Sequence, residues 1–326
     1  MDRPLTTADV PPQFLNSALL VGHIPHRALA SDPRVSYALY VPPQLYYPDP
    51  PSHSHHEAGV PGVPDPTGAK RRVPLLVCVH GTRRYVHDLY DLAPFADSTG
   101  CAILAPLFPA GLDGPNDIDS YKLLRSKSLR SDLALLSMLD EVAVRWPDID
   151  TQKFFLMGFS GGGQFAHRFL YLYPERLAAV SVGAPGHATV LDEGKDWPVG
   201  VRDVDALFGK SIGKALIKKV PIQLVIGSAD VKVHGGADFW AWVKQIKAQR
   251  GAGSAETNSA STLLPINQGR LEIMHNLRDL WEKDGIATRL DVVEGVSHDA
   301  GGVRDSVIAF LKPRIQAYFD DCATQL

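Results

Sequence analysis

The sequence predicts an α/β fold: a mostly parallel central sheet with helices packed on both faces. Two observations carry this. Short, almost continuously apolar runs recur along the chain, and the longer stretches between them place apolar residues at helical spacing. Leu75–Val79 reads LLVCV, Cys101–Ala105 CAILA, Phe154–Met157 FFLM, Ala178–Val182 AAVSV and Ile222–Ile226 IQLVI. A strand covered by helices on both faces has no polar side to show, so it reads as a run and not as an alternation.

The elements follow in order. Val35–Val41 (VSYALYV) reads as a first strand at an edge of the sheet, with antiparallel pairing left open. Leu129, Leu133, Leu136, Leu139, Val142 and Trp146 recur at three- and four-residue steps and predict a helix that Pro147 stops. Val303, Val307, Phe310, Leu311, Ile315 and Phe319 predict another near the end. Residues 1–34 read as an N-terminal extension and 35–326 as one domain without internal repeats. Three segments interrupt the pattern: a Pro-, Gly- and His-rich loop at 42–73, a small cap at 187–220 with Trp197, Pro198 and Phe208, and a polar loop at 250–262.

Composition bounds the function class. Apolar residues make up 45% and charged residues 21%, with 33 basic against 36 acidic side chains and a net charge of −3. No basic stripe argues for nucleic acid and no acidic tail for a solvated partner arm. The three cysteines, Cys78, Cys101 and Cys322, have no CxxC spacing, so neither a disulfide framework nor a zinc site is indicated. The first residues, MDRPLTTADVPPQF, lack an apolar leader core, and no run is long enough to span a bilayer. The expectation is a soluble cytoplasmic protein.

The strongest chemical signal is Gly158-Phe159-Ser160-Gly161-Gly162, a G-x-S-x-G pattern between a strand and the helical stretch Gln164–Tyr173. Such a turn lifts the serine hydroxyl off the sheet, and side chains at the flanking positions would collide with neighbouring backbone. A phosphate-binding loop fits less well, because no Lys-Ser/Thr ending and no G-x-G-x-x-G spacing is present. On this elbow, GFSGGGQFAHR, and on the HG-type loop at His80-Gly81, the chain resembles the α/β-hydrolase superfamily over about residues 70–320, in particular its esterase- and peptidase-like members. The resemblance implies an α/β-hydrolase fold and a Ser, acid, His order along the chain.

That order selects candidates. Asp230 follows the strand at Ile222–Ile226, and His298 follows the strand at Leu290–Val293. Both fall at strand C-terminal ends, where sites form in α/β sheets. Asp238, Asp203 and Asp205 compete with Asp230, and Asp299 adjoins the base but cannot easily reach around to it. The resemblance also implies an oxyanion hole from the backbone N–H groups of Gly161 and Thr82, with Gly81 and Arg83 as open alternatives to Thr82 and His80 as a residue that shapes the loop. Arg83 and Arg84 could hold a substrate carboxylate, although a solvated pair is the plainer reading. Phe159, Trp197, Phe208, Trp240 and Trp242 could line a pocket or simply pack, and His53, His55 and His56 read as part of a surface loop.

Three functions follow: an ester, thioester or amide hydrolase working through an acyl-enzyme on Ser160; the same residues used for acyl transfer, cyclisation or rearrangement of a bulky metabolite; or a binding protein on a hydrolase scaffold. The expected partner is a small acyl substrate, with no nucleic acid or membrane and no cofactor or metal. Oligomeric state and substrate identity are not legible in the sequence.

Overall fold

The computed structural model describes residues 4–44, 72–115, 117–232 and 269–324, with side chains to residue 318 in the last helix. The readings at His53, His55, His56, Asp238, Trp240, Trp242 and 250–262, and the side chains of Phe319 and Cys322, lie outside the described residues.

Eight strands form one sheet: β1 (Gly22–Ala28), β2 (Ser36–Val41), β3 (Leu75–Val79), β4 (Ala102–Leu107), β5 (Phe154–Phe159), β6 (Leu177–Gly183), β7 (Ile222–Gly227) and β8 (Thr288–Val293). Their order is β1-β2-β4-β3-β5-β6-β7-β8. β1 and β2 pair antiparallel, as do β2 and β4. All pairs from β3 and β4 onward are parallel.

Successive side chains of a strand point to opposite faces, and the buried residues divide accordingly. Leu75, Val77 and Val79 join the larger core, whereas Leu76 and Cys78 join the smaller one. The larger core is closed by α3 (Ser131–Arg145), α4 (Gly161–Leu172) and α7 (Arg270–Lys283); the smaller by α1 (Asp88–Asp91), α2 (Ala93–Thr99) and α8 (Ala300–Thr324). Two further short helices, α5 (Val204–Phe208) and α6 (Lys214–Ile217), lie between β6 and β7. No described helix is long and apolar enough to cross a membrane.

The structure differs from the sequence reading in two places. The sheet begins at Gly22, inside the stretch read as an extension, so Val35–Val41 supplies the second strand and β1 the edge. In β1 only Ile24 is buried, and Pro25 sits where the register shifts between Ile24 and Arg27. A proline that cannot donate to a ladder is tolerated at such an edge, and a strand with one buried residue gives no apolar run to read. The face of α3 is also rotated. Leu133 is 45% exposed, while Leu135, Met138, Leu139 and Val142 are buried. Leucines stand on both sides of this helix, so spacing alone does not choose between its faces.

Candidate active site

Ser160 stands between β5 and α4 with φ 57° and ψ −113°, a left-handed backbone that a residue with a side chain rarely adopts. Conformations of this kind cost about 1–3 kcal/mol and persist only where the surroundings enforce them. Here the Ser160 N–H donates to the Gly183 carbonyl (2.8 Å) and its carbonyl accepts from Gln164 (3.1 Å). The flanking glycines are sterically required. A Cβ on Gly162 would run into the Val79 carbonyl, and one on Gly158 into the backbone of Gly162. Three strand ends and a helix start thus converge on the serine, with the N-terminus of α4 and its partial positive charge beneath it.

His298 approaches from the turn after β8. Its Nε2 lies 3.0 Å from Ser160 Oγ, and its Nδ1 lies 2.6 Å from Asp230 Oδ2. Asp230 follows β7 and is buried. Its other oxygen accepts from Arg270 Nη1 at 3.0 Å. Burial pushes the Asp230 carboxyl up, but the hydrogen bonds and charges of His298 and Arg270 outweigh it, holding the group below its ordinary value. An ionised carboxylate only accepts, so Nδ1 carries the proton and donates to Asp230. That leaves the Nε2 lone pair facing the serine hydroxyl. Asp299 plays a different part. It accepts from the Gly301 and Gly302 amides (both 3.1 Å) and caps α8, which anchors the His298 turn.

The loop after β3 lies against this group. The Gly161 Cα faces the Thr82 amide so closely that a Cβ there would stand 3.0 Å from the nitrogen. As the first residue of α4, Gly161 has no intrahelical acceptor for its N–H, and the Thr82 amide makes no backbone hydrogen bond among the described residues. Two donors without an acceptor among the described residues therefore lie close together next to Ser160. The loop is held from below. Arg84, itself at φ 59°, donates to the carbonyls of Thr82 (2.5 Å), Phe108 and Ile118 (both 3.0 Å). Tyr121 Oη donates to the His80 carbonyl (3.0 Å), and His80 Nε2 accepts from the Phe108 amide (3.0 Å).

Burial pushes His80 down to about 4, and the buried His167 down to about 3. Both are neutral when folded and titrate near 6.5 when unfolded. Below that pH the unfolded chain binds protons that the folded chain refuses. Each histidine should lower unfolding free energy by up to about 1.4 kcal/mol per pH unit as pH falls from 6.5 toward its folded value, and not below it. Urea unfolding across this range tests the point. His80→Gln should flatten the slope, and an unchanged slope would contradict the assignment.

Ser160, His298, Thr82, Arg83 and Phe159 line one cavity of about 690 Å³. The Phe159 ring packs 4.9 Å from the His298 ring. Trp197 does not take part. Its indole donates to the Leu123 carbonyl (2.8 Å) and its ring meets Phe208 at 5.0 Å. Nor does any residue of 187–220 line this cavity; the first part of that segment faces α7 across a separate cavity of about 670 Å³. Asp203 binds the Trp197 amide and is likewise engaged elsewhere. The arginines divide: Arg84 is a structural tie, while Arg83 is exposed on the cavity wall. Sequence reasoning missed Arg270 and Tyr121. Neither lies in a motif, and both matter only because distant segments meet.

No protein-family model matches the sequence, and no curated protein matches it. Solved structures do. A poly(3-hydroxybutyrate) depolymerase from Bordetella parapertussis superposes with a TM-score of 0.57 at 20% identity, over 94% of this chain and 93% of that one. Poly(aspartic acid) hydrolase-1 from Sphingomonas sp. KT-1 gives 0.55 at 18% identity, over 84% and 92%. An S-formylglutathione hydrolase from Agrobacterium tumefaciens gives 0.52 at 14% identity, over 90% and 99%. The chain has the α/β-hydrolase fold. In that fold Ser160 lies at the turn after β5, and Asp230 and His298 follow β7 and β8.

Proposed function

We propose that this α/β-hydrolase cleaves carboxylic esters through an acyl-enzyme on Ser160. The observation that carries the reading is the relay Ser160 Oγ, His298 Nε2, His298 Nδ1, Asp230 Oδ2, at 3.0 and 2.6 Å. A serine hydroxyl is a weak nucleophile until a neighbouring base takes its proton. As the Oγ–carbonyl bond forms, His298 Nε2 takes that proton and the carbonyl π pair moves onto oxygen. The amides of Gly161 and Thr82 hold the oxyanion. Collapse breaks the ester C–O bond, and the imidazolium gives its proton to the leaving alcohol. Water then enters and attacks the acyl carbon as His298 takes its proton; the acyl C–Oγ bond breaks, the imidazolium returns that proton to Ser160 Oγ, and the acid leaves. Asp230 fixes the histidine tautomer and balances the imidazolium charge.

The structural neighbours are a depolymerase and hydrolases, which favours water as the acceptor over acyl transfer. The test is a fluorophosphonate probe combined with p-nitrophenyl butyrate turnover. The expected result is one adduct, on the Ser160 peptide by mass spectrometry, with stoichiometric loss of turnover. Labelling elsewhere, or turnover that survives full labelling, would overturn the proposal.

A further inference from the structure

Arg83 directly follows the proposed oxyanion donor Thr82 and is exposed on the wall of the cavity that holds Ser160 and His298. The other charged groups of that wall are engaged. Arg84 is tied to three carbonyls. Arg304 bridges Asp88 (3.0 Å) and Asp91 (2.7 Å). Asp299 caps α8. Among the described residues Arg83 makes no hydrogen bond or ion pair. Its backbone is nonetheless held in place, because the Arg84 bonds pin the residues on either side. A guanidinium without a partner among the described residues, on a fixed loop in the wall of the cavity that holds Ser160, is a donor fork for a carboxylate. At the α1 side of the same wall, two carboxylates share one arginine, and that surplus negative charge disfavours an anion there. The two features together give the cavity a preferred end for a negative group.

We propose that Arg83 is an anion subsite, so that the preferred substrate is an ester bearing a carboxylate close to its scissile carbonyl. The inference rests on the ester-hydrolase reading and names the substrate class for it.

Two substrate pairs test it with the full chain. Mono-p-nitrophenyl glutarate against p-nitrophenyl pentanoate places the charge on the acyl side. A 4-carboxyphenyl against a phenyl pentanoate places it on the leaving group. The readout is the ratio of kcat/KM, charged over neutral. Arg83→Gln should lower this ratio about tenfold in at least one pair, the size expected for a hydrogen-bonded charge pair. Arg83→Lys should restore part of it, Arg83→Glu should lower it further, and rising ionic strength should shrink the wild-type preference. A ratio that does not respond to Arg83→Gln in either pair overturns the subsite. If the wild type hydrolyses no ester, the hydrolase reading has failed instead. Calorimetric titration of monomethyl glutarate into Ser160→Ala, with and without Arg83→Gln, then decides the subsite, and equal affinities would refute it.

Discussion

Replacing Ser160 by alanine is expected to lower kcat for ester hydrolysis by about 10⁴- to 10⁶-fold with little change in KM. In the proposed mechanism the hydroxyl forms the bond that defines the intermediate, and its one hydrogen-bond partner among the described residues is His298, the proposed base. Ground-state binding draws on the cavity wall and the two amides, which the substitution leaves alone, so the loss falls on kcat. A residual rate above that in water should remain, because the oxyanion donors still act. The fold should hold. Alanine bears the same left-handed strain as serine, and among the described residues the hydroxyl has no hydrogen bond other than that to His298. Steady-state kinetics and thermal melts measure both quantities. A variant that keeps more than about a tenth of kcat would exclude Ser160 as the nucleophile.

Asp230→Asn should cost on the order of 10⁴ in kcat, with KM again nearly unchanged. The carboxylate serves two donors at once, His298 Nδ1–H and Arg270. An amide has one accepting oxygen. Turned toward Arg270, it presents its NH₂ to Nδ1, which then loses its proton; Nε2 becomes the N–H and can no longer accept from Ser160. Turned the other way, the NH₂ opposes the Arg270 guanidinium. In either orientation Arg270 loses the Asp230 charge beside the histidine that the proposed mechanism makes positive. Fluorophosphonate labelling should slow in parallel with kcat, which a purely structural role would not require. The acid side of the pH profile checks the electrostatics. Asp230 is held low, so its contribution is present at neutral pH and lost as pH falls through its folded value. Arg270→Met removes one cause of that depression and should move the loss of the Asp230 contribution to stability, read by urea unfolding at acid pH, to higher pH. A stability profile that stays in place would show that Arg270 does not tune the carboxylate.

Much of this machinery could be read from the chain, for a physical reason. β3 to β7 are covered by helices, so each is a run of Leu, Val, Ile and Phe that stands out in sequence. The elbow is equally visible, because backbone contacts as close as that of Gly162 with Val79 leave no choice but glycine. β1 escaped because an edge strand buries one side at most, and GHIPHRA buries only Ile24. Trp197 misled because a large aromatic near a site looks the same whether it lines a pocket or packs beneath one. Arg83 and Arg84 are adjacent and chemically identical, yet the positive φ at Arg84 turns that side chain onto three carbonyls and leaves its neighbour in the cavity.

The sequence by itself determined the layered α/β architecture, the serine elbow, and the strand ends that carry Asp230 and His298, because each depends on local spacing or on steric limits of the backbone. Only the tertiary structure decided that Arg270 shares the carboxylate, that Tyr121 and Arg84 support the Thr82 loop, that residues 187–220 stand away from the cavity at Ser160, and that Arg83 stands on its wall without a partner among the described residues. Those facts depend on distances between segments far apart in the chain, and folding alone sets such distances.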